Sequence, residues 1–95
     1  MKNILEWKII SDNLKILSCE AKKIDIEDGI NIVNKFIYHR EYSLAIDQIA
    51  FIFLESQMKM SSDNFSIFMN LVYKMEIKDF AHFEYTNEFI KFQNL

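Results

Sequence analysis

Side chains capable of catalysis are few in this sequence, and their spacing does not suit it. The two histidines, His39 and His82, lack the i, i+4 spacing with which helical zinc sites hold a metal. The single cysteine, Cys19, has no recognisable His or Asn partner near it. Adjacent acids such as Glu27 and Asp28 are too common to indicate glycosidase chemistry. We therefore expect a protein that is not an enzyme and that holds neither a metal nor a cofactor.

The composition favours helices over strands. The 95 residues are enough for one hydrophobic core, about half of them are apolar, and nine are Phe. Proline is absent and Gly29 is the only glycine, whereas strand-rich folds depend on both residue types at tight turns. We predict an all-α fold, a compact bundle of four to five short helices forming a single domain over residues 1–95.

Cysteine usage and hydropathy bear on the compartment. One cysteine excludes an internal disulfide and fits a reducing environment. Charged residues interrupt the N-terminal apolar positions, which is not the pattern of a signal peptide. The most apolar run, residues 44–54, contains Asp47 and Gln48 and is too short to span a bilayer. The expectation is a cytoplasmic protein with no membrane partner.

The distribution of charge along the sequence indicates which class of partner the protein could bind. The formal net charge is −3, which argues against a nucleic-acid binder because such domains show a basic face. Residues 24–57 hold six acids against Lys35 and Arg40, so the middle third is the most acidic part. An acidic patch suits a basic partner. The alternative interpretation is a solvated face that keeps the protein soluble.

Hydrophobic periodicity predicts five helices, at about residues 4–22, 28–39, 42–57, 61–76 and 84–92. In the first helix, spacings of three and four align one apolar stripe, formed by Trp7, Ile10, Leu14, Leu17 and Ala21. Residues 4–10 admit a short strand instead, because Leu5, Trp7 and Ile9 alternate with polar residues. Aromatic residues in the last segment predict that it docks on the bundle.

Three helix features carry further expectations. The third helix is apolar nearly all round, so it is either buried centrally or exposes a partner site at Phe51 and Leu54. Acids precede the second helix, and either Asp25 or Glu27 is expected to cap it. The fourth helix follows an N-cap cluster that begins at Ser61.

Residues 28–78 resemble a known family, the all-helical immunity proteins of bacterial polymorphic toxin systems of the MafI-like and contact-dependent growth inhibition kind. The resemblance covers about half the chain. The matching positions are His39, Glu41, Tyr42, Leu44, Ala45, Leu54, Glu55, the Met60-Ser61 step and Met75. The family commonly has glycine between the His and the Glu. This chain has Arg40 there, which predicts a looser or differently closed turn.

The resemblance implies a protein that binds and neutralises a cognate toxin, often a nuclease with a basic cleft, in the cytoplasm of the producing bacterium. On that hypothesis the partner contacts are five of the six acids of the middle third together with two aromatic anchors, namely Asp25, Glu27, Asp28, Glu41, Asp47, Tyr38 and Tyr42. Glu41 and Tyr42 belong to the motif and are equally open to a structural role.

Other functions remain open at this point. The alternative is a non-catalytic adaptor, secretion chaperone or regulatory interaction module. A DNA-binding helix-turn-helix regulator is disfavoured by the acidic balance. Whether the chain is a monomer or a dimer stays open.

Overall fold

The computed structural model describes residues 4–25, 28–75 and 83–95. Those ranges contain five helices, α1 (Ile4–Ile24), α2 (Gly29–Tyr38), α3 (Tyr42–Ser56), α4 (Ser62–Lys74) and α5 (Glu84–Gln93), and no strand. The prediction of an all-α bundle is confirmed, and every helix boundary lies within about two residues of its predicted position, as expected of boundary assignments. Residues 4–10 are helical, so the alternative of a short strand is wrong.

Helix α3 occupies the centre of the bundle and packs against all four other helices. Its Ile46, Ile49, Ile52 and Phe53 are almost fully buried. Burying each such side chain stabilises the fold by about 1.5–3 kcal/mol. Of the two interpretations of this apolar helix, central burial is therefore confirmed for most of its surface.

Helix α1 presents the predicted stripe to the core. Ile10, Leu14, Leu17 and Ala21 are buried, and Trp7 is half-buried at the edge of the same face. Its other apolar residues, Leu5, Ile9 and Ile16, are exposed.

The turn between α2 and α3 closes without glycine. Arg40 adopts a left-handed backbone conformation with φ 59°. The amide of Arg40 donates to the carbonyl of Ile37, and the amide of Glu41 donates to that of Phe36. These two bonds form a complete Schellman motif, so the predicted looser turn is wrong. The α3 C-terminus closes in the same way with Gln57, whose φ is 51°.

The backbone amides at the starts of α2 and α4 donate hydrogen bonds to side chains that lie outside each of these helices. The carboxylate of Asp25 accepts hydrogen bonds from the amides of Gly29 (3.0 Å) and Ile30 (2.7 Å), so the predicted cap of α2 is confirmed for Asp25. Glu27, the alternative, lies outside the described residues. At α4 the Ser61 hydroxyl accepts from the Asn64 amide, as the N-cap cluster predicts. The amide of Ser61 in turn donates to the Glu20 carboxylate of α1.

Helix α5 docks on α3 and α4, as its aromatic content predicts. Phe89 is fully buried and forms tilted or edge contacts with Phe53, Phe65 and Phe68 at centroid distances of 5.2–6.1 Å. At the end of α5, the Gln93 side-chain amide accepts from the Met60 amide (2.8 Å) and donates to its carbonyl (2.9 Å). None of the described helices combines the length and apolar character needed to span a bilayer.

Candidate functional site

The residues with catalytic potential stand apart from one another. His39 is exposed at the C-terminus of α2, where its ring meets the Tyr38 ring edge-on at 5.1 Å. Cys19 is exposed on α1, and His82 lies outside the described residues. No group of three or more potential metal ligands occurs in the part of the chain that the structure describes. The absence of catalysis stays a prediction. The features with a possible binding role lie on the surface of the bundle.

The predicted partner contacts divide between the two ends of the α2–α3 pair. Asp25 and Asp28 lie at the start of α2, whereas Tyr38 and Glu41 lie at its end. A helix of 10 residues is about 15 Å long. Tyr38 is 83% exposed, and both Asp28 and Glu41 are exposed, so all three are accessible to a partner.

Two of the predicted contacts point into the molecule instead. Tyr42 is only 6% exposed and packs against the Trp7 ring at 5.4 Å. Asp47 is 9% exposed, and its Oδ1 atom accepts hydrogen bonds from both the backbone amide and the hydroxyl of Thr86, each at 2.8 Å. Both side chains therefore hold helices together, and a partner would reach little of either. Glu27, the remaining predicted contact, falls in the gap between residues 25 and 28 and is not described.

A groove with a volume of about 270 Å³ lies between α2 and α3, near the start of α2 and the end of α3. Its apolar lining comes from Ile32, Phe51 and Ile52, and its polar lining comes from Asp25, Gln48, Glu55 and Ser56. Phe51 and Glu55 are four residues apart and share one face of α3. The groove thus places a carboxylate directly beside exposed apolar surface, and we call it the acidic groove.

The only glycine shapes the acidic groove. A Cβ atom added to Gly29 would come within 3.2 Å of Gln48 Nε2 and Ile52 Cγ1, and within 3.3 Å of Asp25 Oδ1. Gly29 has no positive φ, so its role here is close packing of α2 on α3. Any other residue would push into the groove wall, since such contacts are tighter than ordinary van der Waals separations.

An aromatic pair borders the same region. The Phe51 ring meets the Tyr85 ring of α5 at a centroid distance of 4.8 Å, and Tyr85 is 41% exposed. Ile32, on the α2 side of the groove, is 45% exposed. The groove and its rim therefore offer a partner both aromatic and aliphatic surface. Of the two residues of the predicted partner site, Phe51 lines the groove and Leu54 does not, and both side chains are half-buried, so the site stays a prediction.

Sequence reasoning missed Ile32, Gln48, Glu55 and Tyr85 as surface candidates. Ile32 gave a signal, because it is apolar yet falls outside the stripe formed by Ile30, Val33, Phe36 and Ile37. Glu55 gave another, since it lies one helical turn after Phe51 and is one of the few polar residues of α3, which are Ser43, Asp47, Gln48, Glu55 and Ser56. Tyr85 gave none, because its position depends on where α5 docks.

A second depression, of about 400 Å³, lies between the first half of α1 and the start of α3. Trp7 and Tyr42 line it together with a charged set, Lys8, Asp12, Lys15 and Arg40. Lys8 donates to the Asp12 carboxylate at 2.8 Å, and this hydrogen bond lowers the pKa of Asp12 below its usual value. Three cations against one anion make this depression positive, and we call it the basic depression.

The acidic groove and the basic depression lie at opposite ends of the antiparallel α2–α3 pair. The groove adjoins the start of α2 and the end of α3, whereas the depression adjoins Arg40 and Tyr42 in the turn between them. Although the net charge is small, negative side chains therefore predominate at one end of the α2–α3 pair and positive side chains at the other. Oppositely charged partners would approach different ends of the molecule.

Comparisons with family models, with characterised proteins and with solved structures found no match to this chain.

Proposed function

We propose that this chain is a protein-binding domain that neutralises a cognate bacterial toxin, and that the acidic groove is the centre of its binding surface. The observation that carries the proposal is the pairing of Glu55 with exposed apolar side chains, Ile32 and Tyr85, around one groove. Interfaces between proteins combine aromatic or aliphatic anchors with charges that select the partner.

The charge at this end of the molecule supports a basic partner. Asp25, Asp28 and Glu55 lie where α2 begins and α3 ends, and no Lys or Arg among the described residues lines the groove. The partial charges of the two helix ends oppose each other here, because the start of α2 is positive and the end of α3 is negative, so the carboxylates set the sign of the charge. A nuclease toxin has a basic cleft for its nucleic-acid substrate, which is the kind of surface that these charges complement.

A stable interface would have to extend beyond the groove itself. A stable protein complex buries about 800 Å² on each partner. A patch of that area centred on the groove would extend along α2 to Tyr38 and Glu41, since α2 is only about 15 Å long. These two predicted contacts are then part of the rim, while Tyr42 and Asp47 support the surface from inside. The choice of a toxin as the partner rests on the resemblance of residues 28–78 to toxin immunity proteins.

Co-expression tests the proposal. The toxin domain encoded beside this chain's gene is expressed in a bacterial host with and without the chain, and growth is followed together with co-purification through a tag on the toxin. We expect the chain to restore growth and to co-purify in a complex of defined stoichiometry. Growth arrest in the presence of soluble, folded chain, with no complex recovered, would contradict the proposal.

Substitutions locate the surface in the same assay. Ile32→Glu places a charge on the exposed side of α2 in the groove, and Met58→Glu makes the same change at a residue of similar exposure outside it. We expect Ile32→Glu to abolish co-purification and Met58→Glu to leave it unchanged. Equal behaviour of the two variants would move the interface away from the groove.

A further inference from the structure

We propose that the acidic groove receives a single arginine side chain of the partner, with its aliphatic stem against Ile32 and Phe51 and its guanidinium group at Glu55. This inference rests on the proposed function, because it names the chemical group that the same surface recognises. It also applies to any arginine presented on an extended segment, so it can be tested without the toxin.

The carboxylate of Glu55 is available for such a contact. It lines the groove from the last turn of α3 and is exposed. Among residues 4–25, 28–75 and 83–95, no hydrogen bond or ion pair engages it. Asp25 differs, since both of its oxygens already accept hydrogen bonds from the start of α2. Glu55 is therefore the group that would bind the cation, with Asp25 adding negative charge behind it.

The rest of the lining favours arginine over lysine. A guanidinium group is planar and is less strongly hydrated than an ammonium group, so it packs on aromatic faces and forms two parallel bonds to one carboxylate. The groove presents the Phe51 ring, itself paired with Tyr85, within one helical turn of Glu55. A lysine ammonium group would satisfy the charge but would gain less from the aromatic surface.

The groove is smaller than a typical ligand pocket. Small-molecule pockets usually have volumes of about 300–1,000 Å³. The groove, at about 270 Å³, falls just below that range. Its apolar side chains would cover the methylene stem of the arginine, as long basic side chains commonly bury their stems while the charged head stays near water. The Gln48 side chain in the lining offers an amide oxygen as a further acceptor for the guanidinium group.

The test uses three blocked peptides that differ in one side chain, Ac-Gly-Arg-Gly-NH₂, Ac-Gly-Lys-Gly-NH₂ and Ac-Gly-citrulline-Gly-NH₂. Citrulline has the shape of arginine without the charge. Each is titrated into ¹⁵N-labelled full chain and followed by amide chemical shifts. We expect saturable, weak binding of the arginine peptide with the largest shifts at Ile32, Phe51 and Glu55. The lysine peptide should bind less well, and the citrulline peptide should bind least.

Two matched variants complete the test. Glu55→Gln removes the proposed charge, and Asp63→Asn removes one from the exposed first turn of α4 outside the groove. We expect Glu55→Gln to weaken arginine-peptide binding about fivefold, as for an exposed ion pair worth about 1 kcal/mol, and Asp63→Asn to have no effect. Equal binding of arginine and citrulline, shifts confined to other surfaces, or loss with Asp63→Asn but not with Glu55→Gln would overturn the inference.

The two proposals fail separately. If the arginine peptide binds the groove but the chain does not neutralise the toxin, the arginine site stands and the proposed function falls. If the toxin is neutralised while the arginine peptide does not bind, the function stands and the arginine site is wrong.

Discussion

The carboxylate of Asp47 in α3 caps the first turn of α5 through Thr86. Its Oδ1 atom accepts from the Thr86 amide and from the Thr86 hydroxyl, both at 2.8 Å. Thr86 is the third residue of α5, so its amide has no partner within its own helix. The residue before α5, Phe83, has no side chain able to cap it. A buried acid on the central helix therefore supplies what the local sequence lacks.

Removing this carboxylate should loosen α5. Asp47→Ala leaves the Thr86 amide and hydroxyl buried without an acceptor, so we expect a loss of about 2–3 kcal/mol in the free energy of unfolding. Asp47→Asn keeps an acceptor oxygen and should lose less. Thr86→Val removes only the hydroxyl bond and should lose about 1 kcal/mol. Urea denaturation measures all three, with Asp63→Asn as the control. Equal stability of Asp47→Ala and the wild type would show that α5 docks without this cap.

The other end of α5 offers an independent test. Gln93 forms two hydrogen bonds with the backbone of Met60, and each contributes about 0.5–1.5 kcal/mol. Gln93→Glu keeps the acceptor but loses the donor to the Met60 carbonyl, so it should destabilise the fold, and Gln93→Ala should destabilise it more. Hydrogen exchange at α5 amides reports the effect locally. Faster exchange in α1 rather than in α5 would contradict this account.

Glycine at the left-handed position 40 should stabilise the fold. Arg40 has φ 59°, a region that costs non-glycine residues free energy. We expect Arg40→Gly to raise the free energy of unfolding by about 0.5 kcal/mol, because the relief of strain is partly offset by greater freedom of the unfolded chain.

Two further variants serve as a positive and a negative comparison for Arg40→Gly. Gln57→Gly, at φ 51°, should behave like Arg40→Gly. Lys22→Gly, on the exposed face of α1, should instead lose about 1 kcal/mol. Chemical denaturation compares the three. A loss of stability with Arg40→Gly similar to that of Lys22→Gly would mean that the Arg40 side chain contributes more than its backbone strain costs.

Glu20 should contribute to the start of α4 from outside that helix. In a capping box the third residue of the helix bonds back to the N-cap amide, but here that residue is Asn64 and Glu20 of α1 takes the bond instead. We expect Glu20→Ala to cost about 1–2 kcal/mol, similar to the loss of a strong N-cap, and Ser61→Ala about 1 kcal/mol. Glu88→Ala, which breaks only an exposed pair with Lys91, is the matched control and should cost less than either. Equal losses for Glu20→Ala and Glu88→Ala would assign Glu20 no capping role.

If the proposed function is right, charge reversal at the acidic groove should slow association with the proposed toxin partner. Asp28→Lys combined with Glu55→Lys replaces two exposed acids with bases, and we expect the association rate at low salt to fall about tenfold or more. The salt dependence of that rate should fall too, because the attraction that salt screens has been removed. Asp63→Lys combined with Glu88→Lys changes the net charge by the same amount at exposed positions outside the groove and is the control. Stopped-flow fluorescence measures the rates, and an unchanged rate would place the steering charges elsewhere.

The helices were predictable from sequence because their signals are local. The stripe that contains Leu14 and Leu17 fixed the buried face of α1, and the Ser61 cluster marked the start of α4. Central burial of the third helix was one of two interpretations of its nearly all-round apolar surface, and the sequence alone did not choose between them. The stripe of α1 and the cap of α4 need only 3.6-residue periodicity and capping chemistry.

The candidate site was less predictable because it depends on which helices meet. In the sequence, Asp47 and Glu55 are both acids among the few polar residues of α3. In the structure, α5 covers Asp47, whereas Glu55 lines the acidic groove. Tyr42 looked like an anchor because aromatics often mark interfaces, but the Trp7 ring covers it. No sequence window of α3 contains the residues that decide between these outcomes. The same holds for Glu20, whose partner is 41 residues away.

The separation of the acidic groove from the basic depression has a consequence for the protein in concentrated solution. Each molecule carries opposite charges at the two ends of the α2–α3 pair, so one copy can present its depression to the groove of the next. Such a contact joins different surfaces and does not close on itself, which produces chains rather than defined dimers. At low ionic strength the chain should therefore form short head-to-tail assemblies that dissociate as salt is added, and these assemblies would occupy the same groove that we propose for the partner.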